Sequence, residues 1–227
     1  MAKFGKELLQ RSLTAVLLVS IVCGAYLQSL TLFSLLLLAA FALILVDELP
    51  RLYPVRGIRF AALALIYPAL PMIAVFLVPY FFYAADFYLP AYLFLIAATA
   101  DTCAYLVGSC IGYTKMCPTI SPGKSWEGFA GGFFGVVVVN CLILSRVVTQ
   151  PFANLAQCSL LSLVYGLALT TMAFLGGLLL SWLKRKQSLK DAGSLLPGHG
   201  GLLDRFDSIF GVTVVFWLVV ALARILG

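Results

Sequence analysis

Charged residues are scarce in this sequence, and no stretch is polar enough to form a separate soluble domain. Only 11% of its 227 residues are Asp, Glu, Lys or Arg, whereas 63% are hydrophobic. A soluble domain carries about 25% charged residues, so this chain has too little polar surface to cover a water-soluble fold. The composition therefore excludes the soluble classes and predicts a protein embedded in a lipid bilayer.

Histidine and paired cysteines are also scarce, which argues against two common kinds of site. The sequence has a single histidine, His199, and its six cysteines form no Cys-x-x-Cys pair. Structural zinc sites and disulfide frameworks depend on such clusters, so we expect neither. Most of the cysteines lie in apolar stretches, where a thiol packs as a small hydrophobic side chain.

Long apolar segments, by contrast, are abundant, and several reach the ~20 residues that a membrane-spanning helix needs. They predict an all-α fold, a polytopic transmembrane bundle of about seven spans, or eight if the proline-rich third segment is a broken pair. We expect one integral membrane domain over 1–227, with generic helices in 1–97 and the catalytic region in 98–227. The predicted spans are 12–28, 29–46, 59–83, 90–112, 126–148, 159–183 and 208–226.

Basic residues are distributed unevenly among the connecting segments. If the N-terminus is cytoplasmic, every lysine and arginine except Arg146 and Arg224 falls on the cytoplasmic side. This agrees with the positive-inside rule and supports an odd number of spans. We expect the protein in a plasma (inner) membrane of bacterial type. A basic face beside anionic lipid explains the net charge of +6 without a nucleic-acid partner.

The loop at 184–207 concentrates the charge and glycine that the rest of the chain lacks. Asp204 and Asp207 stand three apart at the start of the last span, a spacing that places both carboxylates on one helix face. Asp191 could approach them, because the glycines and Pro197 in between allow the segment to fold back. Three carboxylates suit Mg²⁺, and cations beside them are typical of a polyphosphate site. The neighbouring cations are Lys184, Arg185, Lys190 and Arg205.

An ordinary cytoplasmic loop, whose acids pair with its bases, would show a similar run of charge. The "GHGG" stretch favours a binding site, because glycine lets the backbone approach a ligand closely. Gly200 and Gly201 would then line the ligand. His199 would donate a hydrogen bond to a phosphate, or else brace the glycine turn.

A second polar loop, at 112–126, contains the stretch "TISPGKSWEG". Ser121 and Ser125 are typical of helix starts, and the positive end of a helix dipole attracts anions. Together with Lys124 they predict a phosphate-binding element at the start of the fifth span. Simple helix capping, with Trp126 at the membrane interface, is the alternative for Ser125.

Asp101 lies within the fourth predicted span, in "FLIAATADTCAYLVG". A carboxylate in hydrocarbon costs about 2.5–3.5 kcal/mol on insertion scales, and such residues usually face the bundle interior and are functional. We therefore expect Asp101 to face inward as a site residue. A structural pair with a buried cation or hydroxyl is the alternative.

These stretches resemble the phosphatidate cytidylyltransferases, also called CDP-diacylglycerol synthases. The family signature is similar at every defined position to "SWLKRKQSLKDAGSLLPGHGGLLDRFD", Ser181 to Asp207, and "DTCAYLVG" and "SPGKSWEG" are similar to upstream family elements. The resemblance covers about residues 98–227. The family usually has lysine where this chain has Gly123, which removes one potential phosphate contact.

The resemblance implies an Mg²⁺-dependent reaction of CTP with phosphatidic acid at a membrane-embedded site that faces the cytoplasm. It implies metal ligands at Asp204, Asp207 and Asp191, with Asp101 as a further ligand or partner, and leaves open a second metal ion and a homodimer. Catalytic roles would fall to these aspartates with Lys190 and Arg205. The implied substrate-binding residues are Ser121, Lys124, Ser125, Lys184, Arg185, His199, Gly200 and Gly201.

Two other functions fit parts of the same pattern. A CTP-dependent lipid kinase of the polyprenol or phytol type would act on a lipid alcohol and would need a base for its hydroxyl. An ion-coupled transporter would use Asp101 as an intramembrane carboxylate, but it has no need of a glycine-rich loop with three aspartates.

Overall fold

The computed structural model describes residues 2–53, 58, 62, 73, 89–144, 159–196 and 200–226. Most of these residues are helical, as the apolar composition predicts. The predicted third span, 59–83, lies almost entirely outside the described residues, as do positions 145–148 of the predicted fifth span.

The first two helices are joined by a single residue. Helix α1 (Ala2–Gln28) is followed by Ser29, which caps helix α2 (Leu30–Leu43) by accepting a hydrogen bond from the Leu32 N–H at 3.0 Å. The tight connection that the sequence predicts at residues 28 and 29 is therefore confirmed. Helix α1 begins well before residue 12, so the polar N-terminal residues continue the helix.

Helix α2 continues through a π-helical turn (Ile44–Glu48) into the short helix α3 (Leu49–Leu52). Pro50 lies at the start of α3, and proline has no backbone N–H with which to continue an α-helical ladder. The wider turn accommodates this interruption. Such π turns frequently occur at functional sites, and this one ends at Glu48.

The region 112–126 forms a β-hairpin, which corrects the expectation of an irregular loop in a purely helical fold. After helix α4 (Leu89–Ile111), strand β1 (Lys115–Cys117) pairs antiparallel with strand β2 (Ser121–Ser125). Helix α5 (Trp126–Val139) then begins directly after Ser125 and continues as a π turn (Asn140–Leu144). Ser121 therefore lies in a strand and does not start the helix.

Helices α4 and α5 approach closely because one of them presents glycine. A Cβ atom on Gly128 or Gly132 would lie 2.8 or 2.9 Å from the carbonyl oxygens of Ala104 or Ala100. These distances are too short for a side chain, so only glycine permits the contact. The small-residue spacing on α5 predicts helix packing of this kind, and the structure confirms it.

The last two helices carry the ends of the charged loop. Helix α6 (Ser159–Lys186) ends in three basic residues, and helix α7 (Leu203–Leu226) begins one residue before Asp204. Both helices extend beyond the predicted spans into the loop. Four helices in the described residues are long and apolar enough to cross a membrane. Two of them are the apolar parts of α6 and α7, and the other two are Thr31–Leu52 and Pro90–Ile111. The chain is thus that of an integral membrane protein.

The chain divides into two compact units. One comprises Met1–Met72 and Leu183–Phe206, and the other comprises Ile73–Trp182 and Asp207–Gly227. The glycine-rich loop belongs to the first unit and the β-hairpin to the second.

Candidate active site

In the first unit, Lys184 and Asp204 form an ion pair that joins the two ends of the charged loop. Lys184 Nζ lies 2.7 Å from Asp204 Oδ1, and the side chains are only 14% and 9% exposed. Lys184 lies in the last turn of α6, where a cation is stabilised by the helix dipole. Asp204 lies in the first turn of α7, where the dipole favours an anion.

Asp204 also holds the backbone of the loop. Its Oδ2 accepts hydrogen bonds from the N–H groups of Ala192 and Gly201, at 2.9 and 3.1 Å. The carboxylate therefore binds one lysine and two amides. These contacts give Asp204 a structural role besides any catalytic one.

Gly200 lies between two of the predicted metal ligands. A Cβ atom on Gly200 would be 3.1 Å from Asp204 Oδ2 and 3.2 Å from Asp191 Cβ, so both aspartates flank this glycine. Its φ of +80° lies in the left-handed region that side chains rarely adopt. The loop thus folds back as the glycine content predicts, and it brings Asp191 next to Asp204.

Glu48 is a residue that the sequence interpretation missed. Its side chain is fully buried, and its two carboxylate oxygens accept hydrogen bonds from the N–H groups of Leu202 and Leu203 at 2.6 and 2.7 Å. These N–H groups lie at the N-terminus of α7 and have no partner within the helix. The available clue was an acidic residue inside the apolar run "LILVDELP". A carboxylate in an apolar span is costly and is usually functional, for Glu48 as for Asp101.

In the second unit, Lys124 and Asp207 both lie against Gly177 of α6. A Cβ atom on Gly177 would be 2.5 Å from Lys124 Nζ and 3.2 Å from Asp207 Oδ2. Lys124 Nζ also donates a hydrogen bond to the Phe174 carbonyl at 3.0 Å and lies 4.8 Å from the centre of the Phe174 ring. Gly177 therefore leaves the space that lets two predicted site residues lie on the same surface of α6.

Ser125 acts as the N-cap of α5. Its hydroxyl accepts a hydrogen bond from the Gly128 N–H at 3.1 Å, and the residue is buried. This contact favours the capping interpretation over a direct role in phosphate binding. Ser121, by contrast, lies at the far end of β2 and is half-buried.

Asp101 does not face the interior of the described structure, contrary to the expectation for a carboxylate in an apolar span. The residue is exposed on α4, as is Tyr105 one turn further on. The reason lies in the packing of α4, which presents Ala100, Ala104 and their neighbours to α5 and turns Asp101 away.

The remaining predicted residues are mostly at the surface. Arg185, Lys190, Asp191 and Arg205 are exposed, and Gly201 is buried beside Glu48. His199 lies outside the described residues. Within the described ranges, no group of three or more His, Cys, Asp or Glu side chains is gathered as a metal site.

Two carboxylates are nevertheless sufficient for one kind of metal site. Mg²⁺ usually keeps several waters and is held by one or two carboxylates together with substrate phosphates. Asp191 and Asp204, which both lie beside Gly200, fit that donor set in number and type.

The apolar helices define a helical integral membrane protein, and a charged, glycine-rich loop joins its last two helices. The model of the cytidylyltransferase family matches residues 6–223, and the chain belongs to this family.

Several curated bacterial proteins with similar sequences are named phosphatidate cytidylyltransferase. The chain is 44% identical over 119 residues to the enzyme named so from Staphylococcus epidermidis, which covers 52% of this chain and 44% of that protein. It is 40% identical over 131 residues to the one from Bacillus subtilis, covering 58% and 46% of the two chains. It is also 40% identical over 129 residues to the one from Mycobacterium bovis, covering 56% and 40%. Each match spans less than half the length of the relative.

Proposed function

We propose that the chain transfers the cytidylyl group of CTP to phosphatidic acid, giving CDP-diacylglycerol and pyrophosphate. The observation that carries this proposal is the loop between α6 and α7, where Lys184, Asp204 and Gly200 lie together within the sequence that resembles the family signature. Membership of the cytidylyltransferase family and the names of the relatives support it.

The reaction suits a site that is rich in charge, because it needs no dedicated general base. A phosphate oxygen of phosphatidic acid forms a new bond to the α-phosphorus of CTP. The bond from that phosphorus to the oxygen bridging to the β-phosphate breaks, and pyrophosphate leaves with the electron pair. The attacking phosphate is already anionic, so the protein must align the substrates and offset the negative charge.

The lysines would neutralise phosphate oxygens. An ammonium group has three N–H donors, so Lys184 can pair with Asp204 and still donate to a phosphate. Lys124 is half-buried and held over the Phe174 ring, which limits its side-chain freedom. Arg185, Lys190 and Arg205 are exposed and would add phosphate contacts from the surface of the loop.

Asp191 and Asp204 would hold a magnesium ion, with Asp207 and Asp101 as the further ligands that the family resemblance implies. When bound, Mg²⁺ would neutralise charge on the phosphates and on the departing pyrophosphate. A second metal ion and a homodimer are compatible with the same proposal.

The topology that we propose has about seven spans in a bacterial inner membrane, with the charged loop on the cytoplasmic side. The uneven distribution of lysine and arginine supports this orientation. A cytoplasmic loop at the bilayer surface would let a water-soluble nucleotide meet an insoluble lipid.

The test is an assay of the purified chain with CTP and Mg²⁺, with either phosphatidic acid or a polyprenol as acceptor and products identified by mass. We expect CDP-diacylglycerol and pyrophosphate from phosphatidic acid, and no product from the polyprenol. A phosphorylated polyprenol would indicate the lipid kinase instead. Ion flux in vesicles without nucleotide turnover would indicate the transporter.

A further inference from the structure

Among the residues whose side-chain burial the structure describes, Glu48 is the one charged residue that is buried, and it has no role in the proposed reaction. Burying a carboxylate is costly unless hydrogen bonds compensate for the lost water. The bonds that compensate here come from the loop that carries the proposed site. The location of these partners suggests that Glu48 serves the loop and does not simply end an apolar segment.

The loop and the Glu48 carboxylate fit each other without spare space. Gly193 and Gly201 both approach the carboxylate closely, and a Cβ atom on either glycine would lie 2.8 Å from Oε1. The Leu202 and Leu203 N–H groups are bound at 2.6 and 2.7 Å. The absence of side chains at these two glycines is therefore what admits the buried acid.

Glu48 and Asp204 accept hydrogen bonds from successive backbone N–H groups at the start of α7. Asp204 accepts from the Gly201 N–H, and Glu48 accepts from the N–H groups of Leu202 and Leu203. A displacement of Glu48 would move the residues that directly precede Asp204. A shift of about 1 Å in a catalytic group can lower a rate by about 100-fold.

We propose that Glu48 is a positioning residue that fixes the glycine-rich loop and the first turn of α7, and through them the carboxylate of Asp204. The part of this inference that concerns turnover rests on the proposed cytidylyl transfer. Glu48 touches the loop backbone and is not assigned to substrate, so its loss should lower kcat far more than it changes KM for CTP.

Two variants disturb the contact between Glu48 and the glycine-rich loop, one by changing Glu48 and the other by changing the loop. Glu48→Gln keeps the size of the side chain but turns an N–H₂ group towards a backbone N–H, so one hydrogen bond is lost. Gly193→Ala leaves Glu48 intact and places a methyl group against its side chain. The matched control is Asp47→Asn. It removes the negative charge of the neighbouring residue, which pairs with Arg51.

The experiment measures amide hydrogen exchange at Leu202 and Leu203 together with steady-state kinetics, on the full chain in detergent. We expect exchange at these amides to be about tenfold faster in Glu48→Gln and Gly193→Ala, as for the loss of one hydrogen bond. We expect kcat per folded protein to fall roughly 100-fold with KM for CTP little changed, and Asp47→Asn to match the wild type in both.

Unchanged hydrogen exchange at Leu202 and Leu203 in both variants would overturn the proposal, because the protection of these amides would then not depend on Glu48. Faster exchange with normal kcat in the folded protein would also overturn it, since Glu48 would then be structural only. If the wild type turns over no lipid substrate, the proposed function fails, and the exchange rates alone decide whether Glu48 anchors the loop.

Discussion

Lys184 Nζ and Asp204 Oδ1 lie 2.7 Å apart, although the two residues are 20 positions apart in the chain. The ion pair joins the end of α6 to the start of α7 and so closes the loop between them. Asp204 at the same time binds two loop amides. Removing this carboxylate should therefore disturb both the charge of the site and the shape of the loop.

We expect Asp204→Asn to lower cytidylyl transfer by roughly 100- to 1,000-fold, the loss typical of a group that stabilises charge in the transition state. The amide keeps the volume of the side chain but turns an N–H₂ group towards donors. Lys184→Met, which keeps the apolar stem and removes the charge, should lower transfer less. Wild-type transfer by Asp204→Asn at ordinary Mg²⁺ would remove this residue from the site.

Gly177→Ala tests the space shared by Lys124 and Asp207. The added methyl group would lie within 2.5 Å of Lys124 Nζ, so that side chain must move. Because Lys124 Nζ is the far end of a flexible side chain, it can shift at little cost, so we expect turnover to fall while the melting temperature changes little. Thermal melting and specific activity measure the two effects.

Gly123→Ala is the control for Gly177→Ala, because a Cβ atom on Gly123 meets nothing within 4 Å. Gly123 precedes Lys124 in the same strand, and its substitution should change neither stability nor activity. An equal loss of turnover in the two variants would mean that the effect of Gly177→Ala does not depend on the space near Lys124.

Ser125→Ala separates capping from phosphate binding. Loss of the N-cap should lower stability by about 1 kcal/mol while the folded protein keeps its activity. Ser29→Ala removes the cap of α2 away from the site and should cost about the same. A fall in activity confined to Ser125→Ala, at equal stability of the two variants, would show that the hydroxyl has a role beyond capping.

Asp101→Asn tests an exposed acid within an apolar helix. Substitutions at exposed positions usually change stability by less than about 0.5 kcal/mol, so the melting temperature should hold. We expect turnover to fall about 10- to 100-fold and the Mg²⁺ requirement to rise, as for groups that support a metal site. A destabilised variant with normal specific activity would contradict the catalytic assignment.

The features that the sequence predicts correctly depend on neighbours in the chain. Asp204 and Asp207 were expected at the start of the last helix and lie in its opening turns, and Ser125 is of a residue type typical of helix starts and caps α5. The glycines of the loop likewise indicate that it folds back.

The features that could not be predicted join distant parts of the chain. Glu48 binds the amide of Leu203, 155 positions away, and Lys124 reaches the Phe174 carbonyl, 50 positions away. No local pattern encodes such pairs. The β-hairpin was missed because its strands contain only 3 and 5 residues, and one of them includes Pro122 and Gly123, which are unusual in strands.

The most direct test of the account follows the fate of the CTP phosphates. The purified chain is incubated with phosphatidic acid and with CTP that carries a radioactive label at either the α- or the γ-phosphate, and the lipid fraction is counted. Cytidylyl transfer predicts that the α-label enters the lipid and the γ-label leaves as pyrophosphate. A γ-label that enters the lipid fraction while the α-label remains in CDP would contradict the account.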